Sequence, residues 1–212
     1  MAFLARHKNG NARLANLSWS INCGQIRQNT GILHVSLIND VVAMAYALTE
    51  LDKNEVVNLL PGKLAAKPER FAVLAPGTGL GQALLIKHGE KKIVVPSEGG
   101  HIEFAPSNET EVLLWQYLHG KFKHVSYERV ISGSGIPIVF DFVVEVLKKQ
   151  PLPGTLERMK TQHKSRVITS MALQQLDSAC VLTMNIFASV LVAFAGSLAL
   201  TYLTDGGIFL GG

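Results

Sequence analysis

The stretch "VPSEGGHIEFAP" (95–106) sets Glu98 and His101 around two glycines inside an otherwise apolar run. A carboxylate accepts from two hydroxyls and an imidazole donates or accepts, so the pair suits a polyol. With Glu128 as a third ligand it also suits a metal, although metal sites of that composition usually bring two histidines close together. A solvated hairpin tip would carry the same residues. Asn39-Asp40 stands at a strand-to-helix junction. Asp40 there is either a general base at a strand's end, where α/β sheets bind ligands, or the N-cap of a helix starting at Val41. The third cluster, "PGTGLG" (76–81), follows a strand but fails the dinucleotide fingerprint, because Gln82 holds the third glycine position and another strand follows. Gly77, Thr78 and Gly79 either present amides and a hydroxyl to a phosphate or form a plain tight hairpin.

The elements that must position these groups are legible in outline. Residues 20–31 read as a short helix capped by Ser20 and ended by Gly31. A β-rich run (32–40) leads into an apolar helix (41–51), and two prolines with a glycine make 60–69 a loop near a domain boundary. "RFAVLAPG", "GQALLIKHG" and "KKIVVPSEGG" are strand-like runs divided by glycine-rich turns, which predicts an antiparallel meander. Residues 107–122 predict a helix with Ser107 as its cap and Glu109 and Glu111 in its first turn. Another helix follows Ser132-Gly133 and ends in lysines. Residues 165–178 lead to a long apolar helix, and "DGGIFLGG" closes with a strand between glycine pairs.

Composition limits the function classes. Of 212 residues 48% are hydrophobic and 17% charged, which describes a globular chain rather than a disordered one. The net charge of +4 is spread along the sequence without an aromatic-interleaved basic cluster, against a nucleic-acid partner. Two distant cysteines, Cys23 and Cys180, suggest neither a disulfide framework nor a zinc knuckle, and point to a reducing compartment. "MAFLARHKNG" is too short and charged for a secretory signal. The uncharged stretch 179–204 is long enough to span a bilayer. Asn185 and several Ser, Thr and Gly residues dilute it, and no basic cluster flanks it, so it is expected to be a fully buried core helix.

Taken together, "NLSWSI", "LINDVVAMAYAL", "APGTGLGQALL", "PSEGGHIEFAP", "HVSYERVISGSG" and "GGIFLGG" resemble, in order and approximate spacing, the successive motifs of bacterial-type glucokinase. No cysteine-rich zinc motif of the other sugar-kinase branch is present. The resemblance implies an actin-like (ribonuclease H-like) α/β fold of two domains. Residues 1–50 would be the end of the small N-terminal domain and 51–212 the large C-terminal one. It implies Asp40 as the base that takes the proton from the sugar 6-hydroxyl, and Asn39 as a hydrogen-bonding partner of the sugar. Glu98, His101 and Glu128 would hold hydroxyls near the anomeric end, with the glycines of 99–100 letting the turn close on the sugar. Gly77, Thr78 and Gly79 would lie against the phosphates of ATP, and Gly211 at the adenosine site. ATP and Mg²⁺ are the implied cofactors, with no resident protein metal site. Glucose is the implied ligand of a cytoplasmic homodimer that engages neither nucleic acid nor membrane. The family's opening Asp-x-Gly-Gly-Thr loop has no counterpart here, and the sequence stops at the adenosine-site glycines. The chain is therefore expected to be incomplete at both ends, with impaired phosphoryl transfer. The alternative is a sugar-binding or regulatory pseudo-kinase.

Overall fold

The computed structural model describes residues 10–13, 20–60, 62 and 65–212; the Asn16 to Trp19 part of "NLSWSI" lies outside them. Strand β1 (Asn11–Arg13) pairs antiparallel with β2 (Ser20–Asn22), and α1 (Cys23–Thr30) follows. The cap of α1 is Asn22, whose side chain accepts from the Gln25 N–H, rather than Ser20, which is taken up in β2. Gly31 ends the helix as expected, in the left-handed region at φ 73°.

The β-rich run before Asp40 does not form a strand. Ile32, Leu33 and Ile38 are exposed, Leu33 at 80%, and among the described residues no strand pairs with the run. Strand propensity is expressed only where a neighbour supplies the ladder. Helix α2 (Asp40–Ala47) follows.

Three strands then form the expected meander: β3 (Arg70–Pro76), β4 (Leu80–His88) and β5 (Lys91–Ser97). Leu74 lies opposite Gln82, and Gln82 opposite Ser97. The chain closes with β6 (Ile208–Leu210), parallel to β3, so the sheet order is β5-β4-β3-β6. Asp205 fixes that last pairing by accepting from the Glu69 and Arg70 amides and from the Arg70 guanidinium.

Both faces of β3 are covered, as a run of four buried residues requires. On one side Val73, Ala75, Ala83 and Leu85 pack against Val41 and Ala45 of α2. On the other lie α3 (Glu109–Lys121), α4 (Ile136–Glu145), α5 (Pro153–Thr161), α6 (Lys164–Leu173) and α7 (Ser178–Tyr202), around Leu74, Leu114, Phe142, Ile168 and Phe194. Asn108, not Ser107, caps α3; Ser107 instead donates through its amide and hydroxyl to the buried Glu111 carboxylate. Helix α4 ends at Glu145, before the lysines.

Helix α7 is less buried than its composition predicts. Ala179, Thr183, Ile186, Val190, Phe194 and Leu198 form a buried stripe at helical spacing, while Leu200 is 79% exposed. By length and composition α7 is the one helix among the described residues able to cross a membrane, and 33% of its most apolar stretch is buried.

Asp177 holds the start of α7. One oxygen accepts from the Ala179 and Cys180 amides and the other from the Leu152 amide and the Thr155 hydroxyl. Burial pushes this carboxyl upward, but the Thr155 hydroxyl and the three amides outweigh it and leave it below its ordinary range. Its contribution to stability is therefore complete above the ordinary aspartate range and is lost as pH falls through the lowered value. Asp177→Ala should cost on the order of 2–4 kcal/mol in denaturant unfolding, since it removes a cap and strands buried donors. Asp177→Asn should cost less, because asparagine also caps, and should lose this acid dependence.

Candidate functional site

Glu98 and His101 belong to a tight turn that follows β5. Residues 99–101 form a single turn of 3-10 helix, and both its glycines are buried. A Cβ on Gly99 would run into the Gln82 side chain, and one on Gly100 into the Leu80 carbonyl oxygen. The glycines are thus required because the turn is pressed onto β4, not because they face open space where a ligand would sit. The Ser97 hydroxyl accepts from the Gln82 amide at 2.7 Å and from the Gly99 N–H at 3.0 Å, pinning the turn. Glu98 projects outward with its side chain 64% exposed, 4.0 Å from His101 Nε2.

Glu128 arrives on a second turn, 127–129. Its neighbour Tyr127 is buried, stacked on Phe194 of α7 at 4.2 Å and edge-on to Phe104 at 5.6 Å. Burying rings of this size anchors the turn as part of the core. The two turns are also laced together through backbone: the Phe104 N–H donates to the Val125 carbonyl and the Tyr127 N–H to the Ile102 carbonyl. Glu128 Oε2 accepts from the Leu80 N–H at 3.0 Å, and Oε1 lies 3.8 Å from His101 Nδ1. A Cβ on Gly79 would fall 2.5 Å from Oε2, so the glycine makes room for this carboxylate.

The loop 77–79 joins β3 to β4. The Gly133 N–H donates to the Gly77 carbonyl and the Ser134 N–H to the Thr78 carbonyl, so the "SGSG" segment holds the loop from below. None of the three residues has a positive φ, and the Gly77 N–H is taken by the Ala75 carbonyl. Thr78 is exposed, and the space beside Gly77 is open. The Gly211 N–H donates to the Leu74 carbonyl, which brings the end of β6 to the same edge; a Cβ on Gly212 would lie 3.3 Å from Pro76.

At the start of α2, Asn39 is the cap: its Oδ1 accepts from the Val41 amide at 2.9 Å and the Val42 amide at 3.4 Å. Asp40 is the first helical residue, is exposed, and its carboxylate touches the Val41 amide at 2.9 Å. Val41 seats this end of the helix on β4, against the position where a Cβ on Gly81 would stand.

Among the described residues no three His, Cys, Asp or Glu side chains gather closely enough to hold a metal ion. Beside the Glu98–His101–Glu128 group opens a basin of about 350 Å³ that includes His101, His124, Glu128 and Arg129 in its lining. Two features of this region were passed over in the sequence. One is His124, within the quoted "HVSYER" motif. The other is Gln82, buried with its Oε1 lacking a partner.

The family model Glucokinase matches residues 2–212. A glucokinase from Helicobacter acinonychis (strain Sheeba) is 34% identical over 201 residues, 94% of this chain and 59% of the relative. The chain thus spans about three fifths of the length of the curated relatives it matches. The crystal structure of a glucokinase from an Antarctic psychrotroph superposes with a TM-score of 0.80 at 32% identity, covering 98% of this chain and 62% of that one. A ROK family glucokinase from Streptomyces griseus, solved with glucose and AMPPNP, shares the fold at 19% identity and a TM-score of 0.57, over 93% of this chain and 58% of its own. The fold is the actin-like α/β fold of sugar kinases.

The glycine geometry yields a contrast. Gly100→Ala should destabilise the chain by about 1–3 kcal/mol, because its Cβ meets backbone rather than a flexible side chain. Gly77→Ala, with open space around it, should stay within about 0.5 kcal/mol of the parent. Equal unfolding midpoints for the two variants would contradict the packing described for the turn.

Proposed function

The chain belongs to the glucokinase family, and from that premise we propose that its site binds glucose and presents the sugar 6-hydroxyl to the γ-phosphate of ATP. The observation that carries this reading is the position of the Glu128 carboxylate, between the loop 77–79 and the turn that bears His101. One charged group there adjoins both the loop assigned to phosphate and the residues assigned to the sugar. Glu98, His101 and Glu128 bind hydroxyls near the anomeric end, where two carboxylates accept and the imidazole between them orients. Asn39 hydrogen-bonds the sugar. Asp40 accepts the 6-hydroxyl proton as the oxygen attacks phosphorus. Asn39 supplies the main cap of α2, and Asp40, whose Oδ1 also accepts from the Val41 N–H, keeps an exposed carboxylate.

ATP supplies the phosphoryl group. The exposed Thr78 hydroxyl and the open space over Gly77 suit close approach of phosphate to the backbone at Gly77, Thr78 and Gly79, with Gly211 beside the same edge. Mg²⁺ is the ion such a transfer employs, but the described residues do not form a site for a resident ion. The proposal extends to a cytoplasmic homodimer in which 51–212 is the larger domain and 1–50 the end of the smaller.

Glucose at about a hundredfold over its Kd should stabilise the chain by about 2.7 kcal/mol, raising Tm by about 5–10 °C. Glu98→Gln should shrink that rise; an undiminished rise would remove Glu98 from the sugar site. For catalysis, Asp40→Ala and Asp40→Ser in a chain extended to the length of its relatives should each lower the rate of glucose 6-phosphate formation by about 10²- to 10⁴-fold in a coupled assay, with sugar affinity little changed. Near-parent activity in the serine variant would sink the assignment of the base. Sugar binding without turnover in a chain extended to the length of its glucokinase relatives would favour a binding protein over a kinase.

A further inference from the structure

His124 bridges the two turns that carry His101 and Glu128. Its Nδ1 lies 2.7 Å from Glu103 Oε1 and its Nε2 lies 2.6 Å from the His101 carbonyl oxygen. An ionised carboxylate and a carbonyl can only accept, so both contacts together require both ring nitrogens to carry hydrogen. The ring that satisfies this geometry is an imidazolium. The contact to His101 continues the backbone lacing of Ile102 with Tyr127, Phe104 with Val125, and the bridge between Glu103 and Ser126. His124 is therefore the side-chain end of a short ladder whose other rungs are backbone.

We propose that His124 is a positioning residue, which in its doubly protonated form staples the His101 turn to the Glu128 turn and so sets the spacing of the sugar-reading groups. This rests on the sugar-binding reading above. His124 itself belongs to none of the groups assigned to the sugar or to phosphate. The charged neighbours facing the ring bear on its titration from several elements. Glu103, on the segment after the His101 turn, stabilises the cation, and Arg129, on the Glu128 turn, opposes it. Lys121 at the end of α3 and Lys123 just after it, with His101 and Glu128, line the same basin. The hydrogen bond to the His101 carbonyl, then that to Glu103, raises the His124 pKa above its ordinary value of 6.5. The staple is therefore complete in mildly acidic solution and opens as pH rises through this raised value. Both partners are more than half exposed, so the link contributes little to global stability and its removal leaves the chain folded.

The test uses the 212-residue chain and its His124→Asn variant. Glucose affinity is measured from pH 6 to 9, and the histidine rings are followed by ¹⁵N NMR. In the parent, His124 should show both nitrogens protonated at the acid end, and glucose affinity should fall as that signal titrates. In the variant, affinity at the acid end should be weaker by roughly fivefold or more, the scale of an ordinary coupling between sites. Parent-like affinity and pH profile in the variant would overturn the proposal, as would a neutral His124 ring at the acid end. If glucose binds neither protein, the sugar-binding reading fails instead. The staple is then judged by the His101 ring signals alone: displacement in the variant supports it, and unchanged signals overturn it.

Discussion

The half-buried carboxylate of Glu128 is the group on which the arrangement of the site depends. It accepts the Leu80 N–H at the mouth of the β3–β4 hairpin and faces the His101 ring from the other side. A carboxylate in a partly desolvated position must be satisfied by donors, and here the donor comes from the backbone of the central hairpin. Its own turn is held from beneath by Tyr127 against Phe194, so α7, the longest helix, sets the height at which Glu128 meets the sheet. Burial of such an aromatic side chain is worth about 1.5–3 kcal/mol, more than any exposed ion pair nearby contributes. The ion pairs of the site therefore read its geometry rather than create it.

The glycines express the same constraint in steric terms. The start of β4 and the loop residue before it are approached at Gly79 by Glu128, at Gly81 by Val41, and through Leu80 and Gln82 by Gly100 and Gly99. Four approaches within four residues leave no room for side chains where they meet. Close packing of this kind transmits small displacements, and it links the start of α2, the hairpin loop and the histidine turn into one unit. Asp40, Thr78 and Glu98 all stand at the rim of that unit with exposed side chains, while its interior is closed.

Much of this was legible in the sequence, and the misses have a common cause. The meander of β3 to β5 and the helix α3 follow from local periodicity and turn chemistry, which nearest neighbours in sequence decide. The run from Ile32 to Ile38 has the composition of a strand but no ladder partner among the described residues, and pairing is a non-local property. Ser20 and Ser107 stand within two residues of better caps, Asn22 and Asn108, whose choice depends on where the first helical turn closes. Burial of α7 was overestimated because composition does not reveal how many neighbours a helix has. Residue types and order single out Asp40, Glu98, His101 and Glu128 as candidates. The carboxylate-to-amide bond at Leu80, the contacts of His124 and the packing reason for Gly99 and Gly100 needed three dimensions, since each joins segments distant in sequence.

In the proposed reading, Glu128 organises a sugar site from three converging loops. The most direct measurement is isothermal titration of glucose into the chain and into Glu128→Gln, with unfolding curves recorded for both. The amide retains an acceptor for the Leu80 N–H, so the two should unfold alike. Loss of the charge should weaken glucose binding by about tenfold or more, the scale of one charge-assisted hydrogen bond. Equal affinities in two equally stable proteins would contradict the account.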